Sequence, residues 1–233
     1  MGTSQTMPFS FDTAVVPQLH KRLRDRIVSC DLPPGQRISE TEIAAAYQVS
    51  RQPVREAFIK LAERRLVSIR PQRGTYVRRI SVPEALTARF IREAVEVDLV
   101  RRATERTTSK MIDTLDRQIA KQRTAAKAKD PAAFMQLDEA FHRSLAEFAG
   151  APAVSDYLSD LNVQMNRVRN ISARQFSPQN LVLQHAAIVD AIRQKDAEAA
   201  AGAMRTHLRE FNKDLPKIIK AYPDYFEGPE ALD

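Results

Sequence analysis

Residues 39–61, SETEIAAAYQVSRQPVREAFIKL, decide how the chain is read. Ser39 with Glu42 three positions on is a capping-box pattern, in which the Ser oxygen and the Glu carboxylate each satisfy a backbone N–H at a helix start. Ile43, Ala44 and Tyr47 supply the inward face of that short helix. After Gln48-Val49, Ser50 can cap a second helix, and Pro53 is tolerated in its first turn because a backbone N–H there has no helical partner anyway. Val54, Ala57, Phe58 and Leu61 fall at helical spacing, which leaves Arg51, Gln52, Arg55 and Glu56 facing outward. Upstream, Val16, Leu19, Leu23 and Ile27 make one apolar stripe, stopped by Asp31-Leu-Pro-Pro-Gly35. Downstream, Leu66-Val-Ser-Ile69, a turn at Arg70-Pro-Gln-Arg-Gly74 and Thr75-Tyr-Val-Arg-Arg79 read as a two-stranded wing.

Two short helices joined by a brief turn, the second opening with exposed Ser50, Arg51, Gln52 and Arg55, form the arrangement that lays a helix N-terminus into the DNA major groove. Arginine bonds guanine O6 and N7 in bidentate fashion and glutamine does the same to adenine, so these side chains can read sequence. Gly74 lets the backbone approach phosphates or the minor groove closely, with Arg73 supplying charge. The formal charge of +7 has the matching asymmetry: residues 1–80 carry 14 Lys+Arg against 7 Asp+Glu, whereas 81–233 carry 22 of each. A small polyanion-binding domain joined to a neutral domain with another task is the expected organisation.

The remaining composition narrows the classes. The chain has 233 residues, 43% of them hydrophobic and 28% charged, enough for one large core or two modest ones. A single cysteine, Cys30, excludes an intramolecular disulfide scaffold, a thiolate zinc cluster and a CxxC redox site. No apolar run approaches the roughly 18 residues that span a bilayer, and the N-terminus lacks the basic-then-apolar pattern of a signal peptide. The expected location is the cytoplasm, on the nucleoid when bound to DNA, with no membrane partner. The expected divisions are a disordered N-terminus at 1–13, a DNA-binding domain at 14–80, a helical ligand- and metal-binding domain at 81–221 and a tail at 222–233.

From Ser81 onward the periodicity is helical. Ser81-Val-Pro-Glu84 is a capping box, Asp130-Pro131 and Ser177-Pro178 read as N-cap followed by proline, and Asp196 can cap a last helix. The pattern predicts helices at about 82–107, 109–128, 131–149, 152–172, 178–194 and 196–220, joined by loops short enough for an antiparallel bundle of six or so. The fold class is thus mainly α, a winged helix-turn-helix with a small β-wing followed by an all-α bundle. Three of the four histidines lie on the inward stripes: His142 one turn after Asp138 among Phe134, Phe141 and Leu145, His185 between Leu181 and Ile188, and His207 between Met204 and Phe211. Four such groups aimed at one interior are costly to bury unless they satisfy one another, and a divalent metal does so. Asp138, His142, His185 and His207, with no cysteine among them, suit zinc, nickel, manganese or iron, and geometry alone does not choose among them; zinc is the first expectation.

The N-terminal motifs resemble the winged helix-turn-helix of the GntR family of bacterial transcription regulators. The resemblance is carried by Leu32-Pro-Pro-Gly-Gln-Arg-Ile-Ser-Glu40, Val49-Ser-Arg-Gln-Pro-Val-Arg-Glu-Ala57 and Arg73-Gly-Thr-Tyr-Val77. It implies base or phosphate contacts by Arg51 and Arg55 and minor-groove entry by Gly74. Thr41 stands where many relatives have a DNA-contacting arginine, and Arg65 replaces a glycine that usually ends the third helix. The first departure puts the operator in doubt, while the second implies an added phosphate contact or a longer helix. The C-terminal motifs Asp138-Glu-Ala-Phe-His142, Gln184-His-Ala-Ala-Ile-Val-Asp-Ala-Ile192 and Met204-Arg-Thr-His-Leu208 resemble the metal-binding branch of the FCD domain that accompanies this winged helix in the FadR subfamily. That resemblance implies metal ligation by Asp138, His142, His185 and His207, with positions left for water or an effector carboxylate.

On the first bundle helix Arg92 shares a face with Val95, Glu96 and Leu99, and a guanidinium suits bidentate carboxylate binding. Arg92, with Asn166 and Arg169 on the fourth helix, forms the expected effector set; pairing of Arg92 with Glu96 one turn on is its structural alternative. The expected function is a homodimeric regulator on a roughly palindromic double-stranded operator, since one recognition helix reads too few base pairs to specify a site, with affinity tuned by a small organic acid. No catalytic residues are expected. Two alternatives stay open here: a regulator for which the metal itself is the signal, and a helical metalloenzyme.

Overall fold

The computed structural model describes residues 14–232, so the disordered N-terminus expected at 1–13 lies outside the described residues. The chain forms two compact units, one that ends at Ile80 and takes in Asp224–Glu227, the other made of Ser81–Pro223 and the residues from Gly228 on.

The first unit contains α1 (Val15–Val28), β1 (Arg37–Ile38), α2 (Glu40–Tyr47), α3 (Arg51–Glu63), β2 (Val67–Arg70) and β3 (Gly74–Val77). Leu19, Leu23 and Ile27 of α1 are buried, as are Val54, Ala57, Phe58 and Leu61 of α3 against which α1 packs. Each large apolar side chain so buried contributes about 1.5–3 kcal/mol. The Ser39 hydroxyl accepts from Thr41 N at 3.2 Å rather than from Glu42, so the start of α2 is capped but is not the reciprocal box read from the sequence. Ser50 occupies the N-cap of α3 in extended backbone and makes no side-chain cap hydrogen bond, which keeps its hydroxyl off the helix it opens.

The wing has three strands in the order β1-β3-β2, not two. β1 pairs antiparallel with β3 through Ile38 and Thr75, and β2 with β3 through Ile69 and Thr75. Two residues are too few to show an alternating pattern, which is why β1 left no trace in the sequence. Beyond α3, Arg65 has a φ of 56°, so the helix is not prolonged and the position keeps the left-handed conformation that glycine adopts without strain. A side chain there costs about 1–2 kcal/mol. Arg65→Gly is therefore expected to stabilise the first unit by about 1 kcal/mol, read as a raised midpoint in thermal unfolding.

The second unit is a bundle of α4 (Val82–Glu105), α5 (Ser109–Lys127), α6 (Pro131–Phe148), α7 (Ala153–Leu161), α8 (Val163–Gln175), α9 (Gln179–Arg193) and α10 (Ala197–Ala221). Its helices start where polar caps stand. Ser81 accepts from Glu84 N at 3.3 Å, Asp130 from Ala133 N at 2.9 Å and Asp196 from Ala199 N at 2.9 Å. α9 starts one residue later than expected, with Pro178 at its N-cap and Ser177 Oγ accepting from Gln179 N at 3.5 Å. The helix expected over 152–172 is two helices, because Asn162 stops at φ −78°, ψ 5°. Its N–H closes α7 on Leu158 O at 2.8 Å and its carbonyl opens α8 on Asn166 N at 2.7 Å. Its side chain makes no cap hydrogen bond, so the backbone of Asn162 alone carries the break.

Phe134, Phe141, Leu145, Ile188 and Met204 are buried in the bundle core, and α10 packs along α4 and α9. β4 (Ile80–Ser81) lies at the junction of the units, and β5 (Phe226–Glu227) lies in the segment expected as a tail. Phe226 is buried and Glu227 pairs with Arg78 at 3.0 Å within the first unit, so the described part of the expected tail, 222–232, carries structure that its sequence did not announce. No helix among the described residues is long and apolar enough to cross a membrane.

Candidate metal centre and nucleic-acid interface

In the first unit the start of α3 presents a polar surface. Ser50, Arg51, Gln52 and Arg55 are exposed, and the helix N-terminus adds its own partial positive charge. Glu40, at the start of α2, holds both arginines: its Oε2 accepts from Arg51 Nη2 at 3.0 Å, and its two oxygens accept from Arg55 Nε and Nη2 at 3.1 and 3.3 Å. The Arg55 hydrogen bond, against a desolvation that opposes it and with Arg51 adding to it, keeps the Glu40 carboxyl below the usual carboxylate range. Gln52 Nε2 donates to Glu56 Oε1 at 2.9 Å. Sequence reading did not single out Glu40, whose partners lie 11 and 15 residues away on another helix.

At the wing, Arg73 N donates to Arg70 O at 3.0 Å, closing a turn in which Gln72 has φ 59° and Gly74 φ 97°. A Cβ on Gly74 would stand 2.8 Å from Arg37 Nε, so glycine lets this arginine lie across the wing. Arg37 is exposed and was also absent from the residues chosen on sequence. Arg73 is exposed at the tip.

In the second unit, α6, α9 and α10 bring Asp138, His142, His185 and His207 together, with one ligand atom of each within 4.8 Å of the others among the described residues. His207 Nε2 lies 3.2 Å from both His185 Nε2 and His142 Nε2. His185 Nδ1 donates to Gln122 Oε1 at 2.8 Å, and His207 Nδ1 donates to Gln184 Oε1 at 3.1 Å. Both amides are oriented in turn, since Gln122 Nε2 donates to Leu137 O and Gln184 Nε2 to Glu210 Oε2. With their protons on Nδ1, both Nε2 atoms carry lone pairs, and the short Nε2 contact sets these against each other.

A cation between them relieves that opposition. Metal–nitrogen bonds of about 2.0–2.1 Å to a common tetrahedral centre place two such nitrogens a little over 3 Å apart, which matches the spacing here. Asp138 is fully buried, and its Oδ1 has no hydrogen-bond partner although it lies 3.7 Å from His185 Nε2. An orphaned buried carboxylate oxygen beside three imidazoles fits a divalent ion. Gln122 and Gln184 thus orient two of the imidazoles, the usual outer support of metal-bound histidine, while His142 Nδ1 lies 2.6 Å from Glu96 Oε2 without the geometry of a hydrogen bond.

Burial holds His185 down to about 3, partly offset by Asp138, and holds His207 well below the imidazole range with the neighbouring histidines adding to it. Burial opposes ionisation of Asp138, but Arg169 and the histidines outweigh it and keep its carboxyl well below the usual range. Neutral imidazoles and an ionised carboxylate are the forms that bind metal. Gln122 and Gln184 were not assigned this role from sequence. Gln122 could have been noticed, as a fully buried glutamine on the stripe of Leu115 and Ile119.

The expected effector residues surround this cluster. Arg92 is buried and hydrogen-bonds Glu96, the pairing held as its structural alternative, yet it also lines both cavities beside the cluster. Arg169 hydrogen-bonds Asp138 Oδ2 and donates to Asn166 Oδ1 at 3.2 Å. The larger cavity, about 210 Å³, is lined by Arg92, Arg169 and His207 at one end, while a smaller one of about 60 Å³ meets His142 and Asn166.

Comparison with known proteins places these features. Residues 16–77 match the gntR family of bacterial regulatory proteins, and residues 88–210 match the FCD domain. The chain is 39% identical over 210 residues to the HTH-type transcriptional repressor RspR of Escherichia coli strain K12, covering 90% of this chain and 92% of that protein. It is 35% identical over 191 residues to the HTH-type transcriptional repressor NanR of Citrobacter rodentium, covering 73% of each. Among solved structures, E. coli McbR/YncC superposes with a TM-score of 0.74 at 18% identity, over 90% of this chain and 99% of that one, a likeness of fold.

Proposed function

The chain belongs to the GntR family of bacterial transcription regulators and carries an FCD domain, and from that premise we propose that it is a homodimeric repressor whose hold on a palindromic operator is set by a small carboxylate bound at a metal centre. The observation that carries the reading is the convergence of three histidine Nε2 atoms and the orphaned Asp138 Oδ1 at the end of an arginine-lined cavity.

Asp138, His142, His185 and His207 would hold the ion, with zinc proposed because imidazole and carboxylate are its common donors and nickel, manganese or iron accept the same set. A bound ion would supply a Lewis-acidic anchor for a carboxylate oxygen. The residues of the chain do the rest. Arg92 and Arg169 present guanidinium N–H groups to the cavity, and Glu96 and Asp138 hold those groups in place until an anion competes for them. An acid that binds one bundle conformation better than another shifts the population of DNA-competent dimers, a coupling typically worth about 5–150-fold in affinity. On DNA, Arg51 and Arg55 would meet base edges or phosphates, Ser50 and Gln52 the groove, and Arg73 with Gly74 the minor groove.

Selection of genomic fragments on the purified protein at physiological salt tests the DNA side. An inverted repeat upstream of particular genes is the expected outcome, and retention without sequence preference contradicts the reading. Metal analysis of protein purified without a histidine tag should return about one equivalent per chain, and well under one equivalent contradicts it. Arg92→Ala is expected to weaken every active carboxylate by about 10-fold or more, the worth of a charge-assisted bidentate contact, as read by calorimetry. Unchanged carboxylate affinity removes Arg92 from the effector set.

A further inference from the structure

The wing has two faces of different character. In an antiparallel pair, residues directly opposite each other project to the same side, and successive residues alternate. Ile38, Thr75 and Val77 are buried on one side. The other side carries Arg37 opposite Tyr76, Tyr76 opposite Ser68, and Arg70 opposite Gly74, and none of these five residues is buried. Two guanidiniums cross β3 there in opposite senses. Arg70 Cζ lies 4.8 Å from the centre of the Tyr76 ring, while the guanidinium of Arg37 lies over Gly74, where a Cβ would stand 2.8 Å from its Nε and 3.4 Å from its Nη2. The Tyr76 hydroxyl donates to Arg73 O at 3.1 Å, which holds the ring as a platform for Arg70.

These arginines differ from those at the start of α3 in what balances them. Arg51 and Arg55 share the Glu40 carboxylate. Arg37 and Arg70 form no ion pair among the described residues, and neither does Arg73 at the tip. Uncompensated guanidiniums gathered on one small sheet raise the local potential and favour an anion that neutralises them. A guanidinium laid flat along a sheet does not project as a finger into a groove. It meets what lies against the face of the sheet, which for duplex DNA is the phosphate backbone, and its planar fork suits phosphate oxygens. Gly74 and Tyr76 are two residues apart on one strand, so the two seats lie about 7 Å apart, a step that successive phosphates of one strand can meet.

We propose that Arg37 and Arg70 form a phosphate clamp on the outward face of the wing, gripping successive phosphates of one DNA strand, and that position 74 is glycine in order to seat Arg37. This rests on the DNA-binding reading and adds a contact surface beside the start of α3 and the wing tip. Such a clamp contributes affinity without sequence preference and fixes how the wing is set against the backbone. Arg37 acts from β1, a strand outside the helix-turn-helix, and reaches this face only because Gly74 has no side chain in its way.

Fluorescence anisotropy of the metal-loaded full chain on its selected operator and on a random-sequence duplex, each titrated across salt concentrations, tests the clamp. Arg37→Gln and Arg70→Gln are each expected to weaken both duplexes by the same factor, about tenfold. Each should also flatten the slope of log affinity against log salt by about 0.9 per lost contact, or about 2 for a dimer. Arg37→Lys keeps the charge and is expected to keep the slope. Gly74→Ala is expected to weaken binding in the wild-type chain and to add no further loss in Arg37→Gln, because its methyl group acts through Arg37. A wild-type slope in either glutamine variant overturns the inference and leaves the DNA-binding reading standing. A loss confined to the operator assigns base reading to these arginines and overturns it too, as does a full Gly74→Ala loss in the Arg37→Gln background. A wild-type chain that binds neither duplex overturns the DNA-binding reading itself and this inference with it.

Discussion

His185→Ala is expected to lower metal affinity by more than the roughly 10–100-fold that loss of an outer supporting residue costs, and to leave the purified protein well short of one equivalent. His185 contributes an Nε2 already aimed at the other ligands, and its Nδ1–H is fixed by Gln122. Gln122→Ala removes only that orientation and should fall within the 10–100-fold range, so the two variants rank in a stated order. Competition with a chromophoric chelator measures both, with circular dichroism to check the fold. Asp138→Asn keeps nearly the same volume and tests the point without a cavity. Wild-type metal affinity in both His185→Ala and Asp138→Asn would remove the site.

The second large effect lies at the DNA surface and has opposite signs in two variants. Arg51→Ala is expected to weaken operator binding by about 1–3 kcal/mol, the worth of a bidentate base contact. Glu40→Ala removes a negative charge from the same surface, which should raise affinity for random DNA through the phosphate attraction alone. The operator, however, gains less or loses, because Arg51 and Arg55 are no longer held in one geometry. The ratio of operator to random-fragment affinity should therefore fall in Glu40→Ala even as total binding rises. Titration of both fragments across salt concentrations reads it. An unchanged ratio would show that Glu40 has no positioning role.

Much of the architecture was legible because local chemistry and periodicity agreed. Asp130, Asp196 and Ser81 sit at helix starts in the sequence and cap those helices in the structure. Asp138 stood out as a carboxylate on an otherwise apolar stripe, and it is fully buried. The break at Asn162 was not legible, since Leu158, Met165 and Val168 continue the apolar period across it and all three are buried. β1 and β5 are each two residues long and depend on partners distant in sequence. The pairing of Arg169 with Asp138 spans 31 residues and that of His185 with Gln122 spans 63, so neither leaves a mark in local spacing. Ligands on a stripe can be read from one helix at a time; the groups that orient them become visible only once the helices are packed.

The most direct test of the central claim is the affinity of the metal-loaded, tag-free protein for its selected operator, measured by fluorescence anisotropy with and without a panel of small carboxylates. At least one acid is expected to change that affinity by about 5–150-fold, and the change should vanish when the metal is removed by chelation. Operator affinity that stays constant across the panel in the presence of metal would contradict the account.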